Sequence, residues 1–159
     1  MLTTRQANNL LSSITTEAEL RELLYQLDVS CAGSTTVLYS GALGEVETSD
    51  GNMNTIRSSD IVDGLKDNPD IRLIDKTEAS IFMNSKKFKN ILYSIFGDKP
   101  LELGSKSNQF LFGEIIDGVR QPNGGWDIIS QRFVAETTGE VRLLAGVNTD
   151  ATRVFGAVA

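Results

Sequence analysis

The chemistry open to this chain is that of carboxylates, hydroxyls, aromatic rings and backbone groups. Its 159 residues include no histidine and one cysteine, Cys31. Without imidazole there is no Ser-His-Asp triad, no Cys-His dyad and no His-ligated zinc. One thiol makes neither an intramolecular disulfide nor a thiolate cage, and Cys31 is expected as a small buried residue. No P-loop is present, and Gly41-Ala42-Leu43-Gly44 imitates a dinucleotide-binding turn only weakly. Asp50-Gly51-Asn52 lacks the remaining ligands of a calcium loop. Four places stand out instead. Trp126, the single tryptophan, would by itself be a core residue, because large aromatics bury well. Tyr39-Ser40-Gly41 closes a predicted strand, the end at which α/β folds hold ligands. Glu78 stands at a predicted helix start, and Phe155-Gly156 lies in the last predicted strand, where glycine admits close approach to a ligand.

The elements that must position these residues follow from periodicity. Leu20, Leu23, Leu24 and Leu27 mark one face of a helix over Glu17–Leu27, with Thr16 and Glu19 as a capping box. A weaker helix is expected over Leu2–Ile14. Thr35–Tyr39 reads as a buried strand, and Gly41–Asn54, rich in Gly, Ser, Thr, Asp and Asn, as a long loop fit to be a lid. Ser59 or Asp60 caps a short helix to about Lys66. Phe88, Ile91, Leu92 and Ile95 mark a helix beginning near Lys76 or Thr77 and stopped by Gly97. Phe110–Ile116 suggests a strand, Gln121–Gly125 a turn, and Trp126–Thr138 a helix ended by Gly139. Val141–Ala145 and Val154–Val158 complete a small, mostly parallel sheet. The fold class is therefore α/β: N-terminal helices, then a small mostly parallel sheet covered by helices. One domain is expected over 1–159, with a helical lobe over about 1–110 and an α/β lobe over about 111–159. The bare strand at Arg153–Val158 suggests the tail of a larger protein.

Composition narrows the partners. At 40% hydrophobic and 23% charged the chain is ordinary globular material rather than disordered. Fifteen Lys+Arg against 21 Asp+Glu leave a net charge of −6, so no nucleic-acid partner is expected. The basic cluster Lys86, Lys87 and Lys89 alternates along a predicted helix. No window approaches the roughly 18 apolar residues of a membrane span, and Met1–Thr16 lacks the character of a secretory signal.

Trp126-Asp127-Ile128-Ile129-Ser130-Gln131-Arg132-Phe133 resembles the W-x-x-x-S-x-R-F helix of the ADP-ribosyl cyclase and NAD glycohydrolase family, in its bacterial contact-dependent toxin branch. Val154-Phe155-Gly156-Ala157-Val158 is similar to that family's F-G-S-V segment. Val37-Leu38-Tyr39-Ser40-Gly41 and Thr77-Glu78-Ala79-Ser80 resemble two upstream elements more loosely. The resemblance implies hydrolysis of NAD to ADP-ribose and nicotinamide, with NAD as substrate and no cofactor or metal. Tyr39 and Trp126 would hold the nicotinamide ring, and Glu78 would bond its carboxamide. Ser40, Gly41, Ser130 and Phe155 would line the phosphate and ribose side. An immunity protein would be the partner, and the domain would be secreted or delivered into a target-cell cytoplasm.

Two departures matter. Gly41 stands where the family has an arginine, and Ala159 stands where it has the glutamate that stabilises the ribosyl cation. The chain would then be an inactivated Glu-to-Ala form, a degenerate domain, or one whose acid is Glu45, Glu47, Glu114, Asp117 or Glu136. The composition suits the reaction independently of the resemblance. Breaking the nicotinamide–ribose bond expels a neutral pyridine, so no general acid is needed, and one carboxylate beside the oxocarbenium-like ribose stabilises it. The alternatives are a non-catalytic nucleotide-binding domain and a protein-interaction domain in which the aromatics are core.

Overall fold

The computed structural model of the chain describes residues 1–40, 42–47, 51, 53–100 and 102–145. It is an α/β fold: N-terminal helices precede a small parallel sheet. The described residues fall into two units, one from Met1–Ser30 with Ile74–Glu136, the other from Cys31–Leu73 with residues 137–145. The sequence suggests a division near residue 110; the units cross it because a parallel strand pair joins residues 35–40 to residues 140–145.

In the first unit, side-chain caps decide where helices start. Helix α1 (Thr4–Leu10) is capped by Thr3, whose hydroxyl accepts from Gln6 N at 3.2 Å while the Gln6 side chain accepts from Thr3 N at 3.0 Å. One 3-10 turn, Leu11–Ser13, follows, so the predicted Leu2–Ile14 helix is shorter. Helix α2 (Glu17–Leu24) begins at the expected Thr16 cap and buries Leu20, Leu23 and Leu24. It ends before Leu27 because that stretch pairs with the chain start instead: Leu2 N donates to Gln26 O and Asp28 N to Leu2 O, both at 2.8 Å.

The single helix expected from Lys76 or Thr77 is two. Helix α4 (Glu78–Met83) and helix α5 (Lys86–Phe96) meet at Ser85, whose hydroxyl donates to Phe82 O at 2.7 Å and accepts from Phe88 N at 3.2 Å. One side chain thus closes the first helix and opens the second. The rings of Phe82 and Phe88, both fully buried, lie 5.0 Å apart across the joint. Gly97, at φ +75°, closes α5 as expected. The first three residues of the strand expected at Phe110–Ile116 instead end helix α6 (Lys106–Phe112), capped by Ser105. A short apolar run does not separate the two periods, and the cap decides. Only Ile115–Ile116 is extended; this strand β5 pairs with β6 (Val119–Arg120) around Asp117 and Gly118, both at positive φ. Helix α7 (Gly125–Ala135) ends three residues before the expected Thr138.

In the second unit, β1 (Thr35–Ser40) is the central strand of a three-stranded parallel sheet, between β4 (Ile71–Arg72) and β7 (Glu140–Ala145). Its register with β7 runs from Thr35 opposite Glu140 to Ser40 opposite Ala145. Strand β4 was not expected, because two residues are too few to show a period. Val37, Val62 and Leu73 form the unit's core, and α3 (Ser58–Asp63) lies against β1. The segment read as a lid loop, Gly41–Asn54, contains most of an antiparallel hairpin: β2 (Ala42–Glu47) pairs with β3 (Met53–Arg57). Its few apolar residues hide the pattern, and cross-strand backbone hydrogen bonds make the strands nonetheless. Cys31 is partly exposed rather than buried. The strand expected at Val154–Val158 lies outside the described residues. Among the described residues no helix is long and apolar enough to cross a membrane.

Candidate functional site

Helix α7 carries the strongest of the sequence motifs. Gly124 N donates to the buried Asp127 carboxylate at 2.8 Å, which fixes the first turn. Gly125 starts the helix in a tight seat: a Cβ there would lie 3.0 Å from Leu24 Cδ1 and 3.2 Å from Met83 Cε. Ile128, Ile129 and Phe133 are buried, as a core face requires. Trp126 is not; it and Ser130, one turn on at i+4, are each half-buried and share one side of the helix. The single tryptophan is therefore open to contact on part of its surface, beside a hydroxyl.

Arg132 of the same motif has another task. Its guanidinium donates to Leu24 O at 2.7 Å and to Leu27 O at 2.6 Å, satisfying the carbonyl of the last residue of α2 and one three residues beyond it. Burial pulls the Arg132 pKa below its usual value, opposed by the charges of Glu136 and Asp28. The arginine and phenylalanine of the motif thus hold the unit together, while the tryptophan and serine remain available.

Glu78 opens α4, behind Thr77, whose hydroxyl accepts from Ser80 N at 3.2 Å and donates to Ile74 O at 2.6 Å. The Glu78 carboxylate is engaged at the start of α1. Thr4 Oγ1 donates to it at 2.5 Å and Thr4 N lies at 3.4 Å. This clasp joins two helices 74 residues apart in sequence, and no sequence signal announces it.

Tyr39 lies near the carboxyl end of central strand β1, half-buried against the core of Val37, Val62 and Leu73. Ser40 is the last residue of that strand. Gly41, Phe155 and Ala159 lie outside the described residues. Trp126, Ser130 and Glu78 belong to the first unit, Tyr39 and Ser40 to the second. Of the spare acids, Glu45 and Glu47 are on β2, Glu114 and Glu136 are exposed, and Asp117 occupies the β5–β6 turn at φ +52°.

Two features were not anticipated. Arg72, buried on β4, donates to Cys31 O at 2.8 Å, Thr36 Oγ1 at 2.6 Å and Thr137 Oγ1 at 2.8 Å. It binds the amino-terminal side of the sheet, opposite the end of β1 that carries Tyr39 and Ser40. A lone arginine inside Ile71-Arg72-Leu73-Ile74 is the signal that could have found it, since a charge in an apolar run is buried only with partners. In the first unit a cleft of about 560 Å³ is floored by Phe96 and Phe110, with Arg21, Lys106, Glu17 and Glu114 at its rim. Arg21 sits 5.0 Å over the Phe110 ring and pairs with Glu17 at 3.2 Å. Reading Phe110 as strand concealed this cleft, and of the site residues the sequence singled out only the spare acid Glu114 lines it. Among the described residues no group of His, Cys, Asp or Glu is gathered to hold a metal ion. Comparison with protein-family models, with curated proteins and with solved structures gives no match.

Proposed function

We propose that this chain is an NAD glycohydrolase domain of the interbacterial-toxin type, with NAD as substrate, an immunity protein as partner and Ala159 in place of the acid. The observation that carries the reading is the split along α7: Ile129 and Phe133 are core, while Trp126 and Ser130 stay half-open one turn apart. A flat ring and a hydroxyl at that spacing suit a pyridine ring and the ribose attached to it. The half-buried Tyr39 near the carboxyl end of β1 supports the reading, because parallel sheets hold ligands beyond that end. Glu78 keeps its Thr4 bonds and still has acceptor sites for a carboxamide N–H.

In the reaction, the bond between ribose C1 and the nicotinamide nitrogen breaks and its electron pair returns to the pyridine ring. Water attacks the ribosyl cation and gives up a proton, leaving ADP-ribose. A carboxylate at position 159 would stabilise the cation; alanine cannot, so this sequence binds NAD without turning it over quickly. Delivery into a target-cell cytoplasm, where NAD is held, fits the same reading.

The test uses the single tryptophan. Titration with NAD is expected to quench Trp126 fluorescence, and Ala159→Glu to release nicotinamide. Trp126→Phe keeps a ring but is expected to weaken binding about tenfold, measured by calorimetry. No quenching at millimolar NAD together with no release by folded Ala159→Glu would overturn the reading in favour of a protein-interaction domain.

A further inference from the structure

Helix α5 presents a basic face that neither the fold nor the NAD reading uses. Its sequence, KKFKNILYSIF, has three lysines and no acid. At about 100° per residue, with Phe88 and Leu92 turned to the core, Lys86, Lys89, Asn90 and Tyr93 share the outward side and Lys87 borders it. All five are exposed, and Tyr93 keeps 55% of its surface in solvent, a large value for an aromatic residue. Lys89 and Tyr93 are neighbours at i+4.

The fold gains nothing visible from these charges. The ion pairs Arg21–Glu17, Lys66–Asp63 and Arg142–Glu140 leave out Lys86, Lys87 and Lys89. Asp98, just past the opposite end of α5, is committed to the start of α6, accepting from Lys106 N at 2.8 Å and Ser107 N at 2.9 Å. Three cations in the first turn also oppose the helix dipole. In a chain of net charge −6, they form a local patch of opposite sign to the whole.

We propose that this face of α5 docks an acidic, amphipathic segment of a partner protein, with its carboxylates against Lys86, Lys87 and Lys89 and an apolar side chain on Tyr93. Charge complementarity selects the class. An exposed tyrosine is of the type enriched at protein interfaces, and the lysines that precede it on the helix supply positive charge for a partner's carboxylates. Nucleic acid fits less well, because three lysines neutralise about three phosphates, too few to offset repulsion from an acidic chain. An anionic membrane would need several apolar residues on the outward side, where α5 has one aromatic.

The test is titration of the isotope-labelled full chain, followed by amide NMR shifts, with a synthetic acidic amphipathic peptide of Glu and Leu. A single-stranded oligonucleotide and phosphatidylserine vesicles serve as the other arms. Shifts are expected at residues 86–93 with the peptide. Lys86→Glu with Lys89→Glu should raise its Kd at least about tenfold, and added salt should do the same. Tyr93→Ala should raise it several-fold. Lys86→Gln with Lys89→Gln gives the same direction at smaller size, should the reversal disturb folding. No shifts on α5, a Kd indifferent to both lysine pairs, or stronger shifts with the oligonucleotide or the vesicles would overturn the proposal.

Discussion

Replacing Arg132 separates structure from chemistry within the motif that suggests a function. Its two bonds to Leu24 O and Leu27 O are short, at 2.7 and 2.6 Å, and the acceptors are the last residue of α2 and the residue three beyond it. Hydrogen bonds with one charged partner contribute about 1.5–3 kcal/mol each, and water reaching this half-buried site recovers part of that. Arg132→Ala is therefore expected to cost about 2–4 kcal/mol in total. For a chain of this size that lowers Tm by roughly 4–16 °C, at 2–4 °C per kcal/mol. Urea unfolding followed by circular dichroism gives the free energy. Arg132→Lys can reach one of the two carbonyls and should recover about half. Quenching of Trp126 by NAD should survive in folded Arg132→Lys, whereas a catalytic or phosphate-binding arginine would lose it. A stability change under about 0.5 kcal/mol in Arg132→Ala, or loss of the NAD response in a fully folded Arg132→Lys, would refute the assignment.

Two further outcomes test the packing. Gly113 has φ +117°, and a Cβ there would run into Gln121 O, so Gly113→Ala is expected to cost about 2–3 kcal/mol in urea unfolding; Gly118→Ala, at φ +77° with open space, should cost about 1 kcal/mol, and equal losses would defeat the clash argument. Asp98 is held below the ordinary carboxylate range, chiefly by the Ser107 hydroxyl at 2.6 Å, then by backbone N–H groups of Ser107 and Lys106. A depressed folded pKa means the unfolded chain binds more protons in acid, so this contribution is complete above the unfolded pKa and is lost as pH falls through the folded one. Urea midpoints taken downward from about pH 6 should fall less steeply for Asp98→Asn than for the parent chain; identical slopes would show that the carboxylate is not coupled to folding.

What could be read from residue order was local. Thr16 with Glu19, the leucines of α2, the apolar face of α5 and its Gly97 stop are short-range signals, and each lies where its spacing places it. So do β1 and β7, whose β-branched or apolar runs suit buried parallel strands. The misplacements are also local in cause. Phe110-Leu111-Phe112 has no period that distinguishes helix from strand, and Ser105 with Asp98 settles it as helix. Ser85 divides one apolar stretch into two helices by capping both. The β2–β3 hairpin is polar enough to read as loop, because its pairing energy lies in backbone groups common to every residue.

By itself the sequence determined the class and the excluded chemistries: no imidazole, one thiol, an acidic balance, helices ahead of short apolar strands. Only the tertiary structure decided which members of each motif are free to act. Arg132 and Glu78 are taken up by Leu24, Leu27 and Thr4, partners 108, 105 and 74 residues distant in sequence, while Trp126 keeps part of its surface open. The physical reason is that burial and hydrogen-bond partnership are set by contacts across the chain, which spacing along it does not contain.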